Sequence, residues 1–283
     1  MAGPTTTVAE PGPAGSPPDD TGLSPRQRRR ISLGVQYALL IGIVVAVASV
    51  ADWGAITDSF LQLDVARDTL PDVFTIALKN TVIFTVTGYA LGFVLGLALA
   101  LMRLSSVAPY RWISLVYIEI FRGVPALLIF AFILFLPGAF PGFEFPGDTY
   151  GQAATGLGVV AAAYMAETFR AGIQAVPKGQ MEAARSLGMP YLRAMTSIVL
   201  PQAIRIVIPP LTNELILLFK DSSLVFILGV TTATTELTKF GSDLAIENAN
   251  GTPFMVVGLA YLCITVPLGI LVRRLEARQA RAR

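Results

Sequence analysis

The sequence predicts an all-α integral membrane protein with six transmembrane helices, and three observations carry that expectation. The chain has 54% apolar and only 14% charged residues, with a mean hydropathy of +0.65. Soluble domains average about 25% charged residues, so this chain must present apolar surface to a solvent other than water. Six apolar runs come close to the roughly 20 residues that cross a hydrocarbon core. The basic residues, finally, segregate loop by loop.

Residues 1–30 read as a disordered cytoplasmic tail. Pro4, Pro11, Pro13, Pro17, Pro18 and Pro25 stand there among Gly, Thr and Ser, a composition that buries too little apolar surface to fold. Residues 31–72 read as an extra N-terminal transmembrane helix and an outer loop. The apolar run Leu33 to Ala51 follows Arg26, Arg28, Arg29 and Arg30. It exceeds the ~7 to 15 residues of a signal-peptide core, so it is taken as a retained span. The loop after it is acidic, with Asp52, Asp58, Asp64, Asp68 and Asp72. The other spans fall at about 78–102, 112–137, 153–176, 199–219 and 253–272. The run Ser222 to Thr235 is only 14 residues long and suits an interfacial or re-entrant piece.

With the N-terminus cytoplasmic, fourteen of the 21 Lys and Arg residues fall on inner segments, as the positive-inside rule requires. A seventh span at 222–235 would move five C-terminal arginines outside. Both termini are therefore expected in the cytoplasm, with 276–283 as a basic tail. The net charge of +2 excludes a nucleic-acid binder relying on overall basicity. There is no His and one Cys, Cys263, which excludes Cys and His metal sites, His-dependent catalysis and an intrachain disulfide. No Gly-Lys dipeptide occurs, so the chain has no Walker A loop. Any ATP would be bound by a different chain.

Several residues inside the spans need a reason to be there. Gly88, Gly92 and Gly96 recur every four residues, clearing one stripe for close approach of another helix. Gly156, Gly158 and Ala161 to Ala163 suggest the same for the fourth span. Glu119 with Arg122, and Glu167 with Arg170, are each three residues apart and so share a helix face. A charge at a helix centre costs about 2.5 to 3.5 kcal/mol to insert, which calls for pairing within or between these two helices as a charge clamp. Gly123 and Pro125 should kink the third span. The fifth span holds Pro201, Gln202, Arg205, Pro209, Pro210, Asn213 and Glu214. Irregular backbone and polar groups at that depth are tolerated where they line a cavity, so Arg205, Asn213 and Glu214 become candidate pathway residues beyond a break at Pro209-Pro210.

Between the fourth and fifth spans, residues 176–190 read Val-Pro-Lys-Gly-Gln-Met-Glu-Ala-Ala-Arg-Ser-Leu-Gly-Met-Pro. This pattern predicts a short helix from about Gly179 to Leu187, stopped by Gly188 in a left-handed cap with Pro190 beyond. Met181, Ala184 and Leu187 form an apolar stripe suited to a protein partner.

Glu182-Ala183-Ala184, then Gly188, then Ile198-Val199-Leu200-Pro201, resembles the EAA loop of ABC-importer permeases, a motif of high specificity. Ala163-Tyr164, Glu167, Phe169-Arg170, Gly172-Ile173, Pro177 and Gly179-Gln180 are similar to the polar amino-acid uptake branch of that family. So are Glu119, Arg122-Gly123, Pro125, Pro209-Pro210, Asn213-Glu214 and Lys220 to Leu224. The resemblance covers about 73–275, with Ser222 where Thr is frequent. It implies a type I importer transmembrane domain of five helices, no catalytic residue, and a polar amino acid such as glutamate, glutamine, arginine or histidine as substrate. It also implies a second permease, two ATP-binding cassette subunits that use ATP and Mg, and an external solute-binding protein. Met181, Glu182, Ala183, Ala184, Leu187 and Gly188 would couple to the ATPase. The rival expectation is a stand-alone secondary transporter or channel using Glu119, Glu167 and Glu214 for ion coupling; no internal repeat of the usual kind supports it.

Overall fold

The structure, a computed structural model, describes residues 25–281. The expected tail lies outside the described residues up to residue 24. From Pro25 the chain is already helical, because Pro25 to Arg30 form the first turns of α1 (Pro25–Val50), and proline suits a first helical position. The chain divides into two units, one reaching Trp53 and one starting at Gly54. In the first, the Trp53 indole donates to the Ala48 carbonyl at 2.8 Å, satisfying one of the four acceptors that α1 leaves free at its end.

In the second unit the expected acidic loop is folded into two short helices, α2 (Trp53–Phe60) and α3 (Leu63–Asp72). Pro71 lies inside α3 and cannot donate a helical hydrogen bond. A π-helical turn, Val73–Ala77, follows and leads without interruption into α4 (Leu78–Leu104). The third expected span is two helices, α5 (Ala108–Gly123) and α6 (Ala126–Ala139), meeting at 106°. The anticipated kink is thus a full corner. Pro125 forces the residue before it out of the helical region, and Val124 and Pro125 are both extended, with ψ of 133° and 130°.

Helix α7 (Thr149–Gln174) is the centre of the bundle, with Ala153, Leu157, Ala161, Met165 and Phe169 in the main core. Gly88, Gly92 and Gly96 of α4 sit against Leu157, Ala161 and Met165. Each partner lies 69 residues further along, so α4 and α7 run parallel and in constant register. A chain that descends twice in the same direction must return in between, and the α5–α6 corner makes that return. Small residues recur wherever helices meet α7: Gly156 abuts the Phe130 ring of α6, and Gly172 abuts Val207.

After α8 (Lys178–Ser186) and α9 (Tyr191–Ala194), a second π-helical turn, Met195–Val199, leads into α10 (Leu200–Asp221). The expected backbone break at Pro209-Pro210 is absent: α10 is helical through both prolines. Ser222–Leu228 forms a 3₁₀ helix whose Val225 and Leu228 join the main core. The chain ends in α11 (Leu237–Glu247) and α12 (Thr252–Arg281). Residues 276–281 therefore continue α12 rather than forming a separate tail.

Among the described residues four helical segments are long and apolar enough to cross a membrane, or five if the α5–α6 pair is one span. The fourth expected span, 153–176, corresponds to α7, which has the length but is diluted by Gly, Thr, Gln, Glu167 and Arg170. Those small residues belong to packing against protein rather than lipid.

Two sets of hydrogen bonds tie segments distant in sequence together. Asn80 of α4 donates to the carbonyls of Ala233 and Thr235 at 2.9 and 3.0 Å and accepts from the Tyr150 hydroxyl at 2.9 Å. Asn250 donates to the Asp58 carbonyl at 2.6 Å, and the Gly251 amide donates to that of Ser59 at 2.7 Å. These bonds clasp the α2–α3 junction to the α11–α12 turn across about 190 residues of sequence.

Candidate functional site

Helix α8 begins after Pro177 and ends as the sequence pattern requires. Gly188 has a φ of +83°. Its amide donates to the Arg185 carbonyl at 3.0 Å, and the Met189 amide donates to that of Ala184 at 3.2 Å. This pair of bonds defines a Schellman cap. The stripe expected to face a partner is, however, divided. Met181 packs with Val176, Val199 and Ala203, and Ala184 is 3% exposed, so both seat α8 on its own chain. Leu187 is 86% exposed. The outward face consists of Glu182, Ala183 and Leu187, extended by exposed Tyr191 and Leu192 beyond the cap. The sequence reading missed the last two, although an apolar pair directly after Gly-Met-Pro was a visible signal.

The candidate pathway residues do not converge as a set. Arg205 and Glu214 are nine residues apart on α10, which at 3.6 residues per turn places them on opposite faces and about 13 Å apart along the axis. Arg205 and Asn213 are exposed, and Glu214 is half-buried. Glu214 faces Tyr89 of α4, whose hydroxyl donates to the Leu211 carbonyl at 3.2 Å. Asp221, absent from the sequence-derived set, lies seven residues on, nearly two turns and therefore on the same face. The charges of Asp221 and Glu214 act on one another.

Of the two expected charge pairs, one forms. Arg170 donates to Glu167 through Nη2 at 2.6 Å and Nε at 3.1 Å, and to Gln174 at 2.7 Å. Glu119 and Arg122 form no ion pair among the described residues. Arg122 instead lies over the Tyr164 ring of α7, 5.4 Å from its centroid, a cation–π contact that replaces the carboxylate. Arg103 at the end of α4 also acts on Glu167.

Glu236 is fully buried at the start of α11, where its carboxylate accepts the amides of Thr238 and Lys239, both at 2.6 Å. Burial outweighs these donors and pushes its pKa up to about 7. A raised folded-state value makes its contribution to stability fully present below about pH 4.5 and lost as the pH rises through about 7. The wild-type melting temperature in detergent should therefore fall more between pH 5 and 8 than that of Glu236→Gln. Parallel curves would refute this.

An apolar crevice of about 280 Å³ occupies the α5–α6 corner, walled by Phe121, Val124, Phe132 and Val159 among others. Its only hydroxyl, that of Thr155, already donates to the Gly151 carbonyl, so the crevice offers nothing to a charged solute. No group of His, Cys, Asp and Glu able to hold a metal ion occurs among the described residues.

A helical bundle with several segments long and apolar enough to cross a membrane and a capped loop helix that exposes one face is that of a multi-pass membrane protein. Residues 92–281 match the family described as binding-protein-dependent transport system inner membrane component, and the chain belongs to that family. It is 43% identical over 202 residues to the Bacillus subtilis protein named probable glutamine ABC transporter permease protein GlnM, covering 70% of this chain and 89% of that one. It is 34% identical over 237 residues to the Escherichia coli glutamate/aspartate import permease protein GltK, covering 81% and 98%. Among solved structures, a crystal structure of an amino acid ABC transporter with histidines superposes with a TM-score of 0.68 at 30% identity, over 77% of this chain and 99% of that one.

Proposed function

We propose that this chain is the permease subunit of an ATP-driven importer for a polar amino acid, working with a second permease, two ATP-binding subunits and an external solute-binding protein. The observation that carries the reading is α8: a capped helix seated through Met181 at the turn that leads into α10, with Ala184 buried and with Glu182, Ala183 and Leu187 turned outward. ATP-driven closure of a partner must reach the membrane as a force, and a helix fixed at one face and free at the other can pass it on. The permease pair would then alternate between two arrangements. The distribution of arginines supports placing both termini in the cytoplasm.

ATP hydrolysis belongs to the partner on this reading. The purified chain alone should bind no nucleotide; saturable ATP binding by the isolated, uncontaminated chain would overturn the division of roles.

The pathway is assigned to the α10 face bearing Glu214, with Asn213 beside it. A zwitterion entering a low-dielectric space needs an acceptor for its ammonium and donors for its carboxylate. Glu214 supplies the former and the Asn213 amide the latter. In liposomes holding the assembled transporter, Glu214→Gln should lose about tenfold or more of its uptake, the scale of a lost charged hydrogen bond. Its ATPase should still respond to the loaded binding protein. Uptake with wild-type kinetics would remove Glu214 from the pathway.

A further inference from the structure

Among the described residues Glu236 is the only carboxylate buried from solvent. Helix starts are usually capped by Ser, Thr, Asp or Asn, and a buried carboxylate is costly unless its oxygens are satisfied. A serine could cap α11 without that cost, so the glutamate calls for a second partner. Tyr261 of α12 supplies it. Its hydroxyl lies 3.0 Å from the Thr238 hydroxyl and 3.5 Å from Oε2 of Glu236, meeting both sides of the α11 cap. Ser222, buried directly after the end of α10, also acts on it. The Tyr261 ring stands edge-on to Phe219 of α10, 5.8 Å between centroids, and Ser222 donates to the Phe219 carbonyl at 2.7 Å. One hydroxyl on α12 thus stands between the start of α11 and the end of α10.

The place of this joint gives it a consequence. Helix α8 is seated where the chain enters α10, beside Val199 and Ala203, whereas Phe219 at the far end of α10 packs with Leu237 of α11. A helix of 22 residues is about 33 Å long, so α8 and α11 stand at opposite ends of it. With α8 in the cytoplasm, α11 faces outside, where it exposes Asp243, Ile246 and Glu247. Glu214 and Asp221 lie on the half of α10 that the joint holds.

We propose that Tyr261 is a positioning residue for transport: its hydroxyl joins the Glu236 cap of α11 to the end of α10, so that a solute-binding protein docked on α11 from outside shifts the acidic face of α10 and, through that helix, α8. This rests on the importer reading. Tyr261 touches no substrate; it acts through Glu236, Thr238 and Ser222.

Tyr261→Phe keeps the ring against Phe219 and removes only the hydroxyl. In the assembled transporter it should leave basal ATPase and the half-saturating concentration of loaded binding protein unchanged. Maximal stimulation should fall about fivefold, the equivalent of one neutral hydrogen bond. Glu236 supplies a second readout. Its neutral form is the one that burial favours, with the pKa raised to about 7, so stimulation relative to basal ATPase should fall as the pH rises through 7 in the wild type and stay level in Glu236→Gln. Of the charged groups nearby, Lys239 pairs with Asp243, Lys220 and Asp221 end α10, and Asp72 and Lys79 are exposed on the α3 and α4 side. None of these side chains bonds to the Glu236 carboxylate. A double-mutant cycle of Tyr261→Phe and Glu236→Gln, read as melting temperature of the purified chain in detergent, should be non-additive. Additive losses, a pH profile that persists in Glu236→Gln, or wild-type stimulation in Tyr261→Phe overturns the proposal. A wild-type assembly that the loaded binding protein does not stimulate overturns the importer reading instead.

Discussion

Gly92→Leu should prevent the chain from reaching its native fold. A Cβ at Gly92 would stand 2.9 Å from the Ala161 Cβ and 3.2 Å from the Gly158 carbonyl oxygen, and at Gly96 it would stand 2.9 Å from the Met165 Cβ and 3.0 Å from the Ala162 carbonyl oxygen. The obstructing atoms are backbone or first side-chain atoms of α7, so no rotamer change can clear them. Overpacking of a core costs about 1 to 3 kcal/mol when side chains alone adjust. Here two helices must separate along their common length, and total stabilities are only about 5 to 15 kcal/mol. Size-exclusion profiles of the detergent-solubilised protein should show aggregate for Gly92→Leu and a native peak for Gly258→Leu, where nothing lies within 4 Å of the added Cβ. A native peak with an unchanged melting temperature in Gly92→Leu would mean that α4 and α7 do not pack in this register.

The second large effect is expected at Gly188, with the fold left intact. Valine at a φ of +83° carries the left-handed penalty of about 1 to 2 kcal/mol, worsened by branching at Cβ. The local remedy is to unwind the cap, releasing the Arg185 and Ala184 carbonyls and re-aiming Leu187. Gly188→Val should therefore fold and insert, yet fail to retain its ATP-binding partner on co-purification, or retain it with ATPase no longer linked to uptake. Gly188→Asn, which tolerates the left-handed region better, should recover part of the coupling. Full co-purification and uptake in Gly188→Val would show that the cap geometry is dispensable.

The parts of this fold that were legible in the sequence are those set by local rules. Hydropathy placed four of the expected spans, four-residue spacing placed the α4 stripe, and Gly188 with Pro190 placed the end of α8. What escaped depended on the third dimension. The α5–α6 corner is sharper than a kink because Val124 and Pro125 are both extended, so the chain turns by 106° between the two helices. The direction in which Met181 points is decided by the cluster of Val176, Val199 and Ala203, and an apolar stripe looks the same whether it faces a partner or its own chain. Arg122 was paired with Glu119 by spacing, but Tyr164 of another helix offers it a contact that spacing cannot reveal. Continuity through Pro209 and Pro210 runs against the local rule for proline, so spacing and propensity alone could not reveal it.

The constant offset between α4 and α7 also bears on how the chain is made. The three glycines of α4 have no substitute partner within their own helix, and their counterparts are synthesised 69 residues later. At the ~5 to 20 residues per second of translation, α4 waits about 3 to 14 s beside the ribosome with its bare glycine stripe open to lipid or to neighbouring helices. Biogenesis, more than the finished bundle, is where this design is most exposed, and slowing synthesis between α4 and α7 should raise the fraction of chains that are degraded before they are complete.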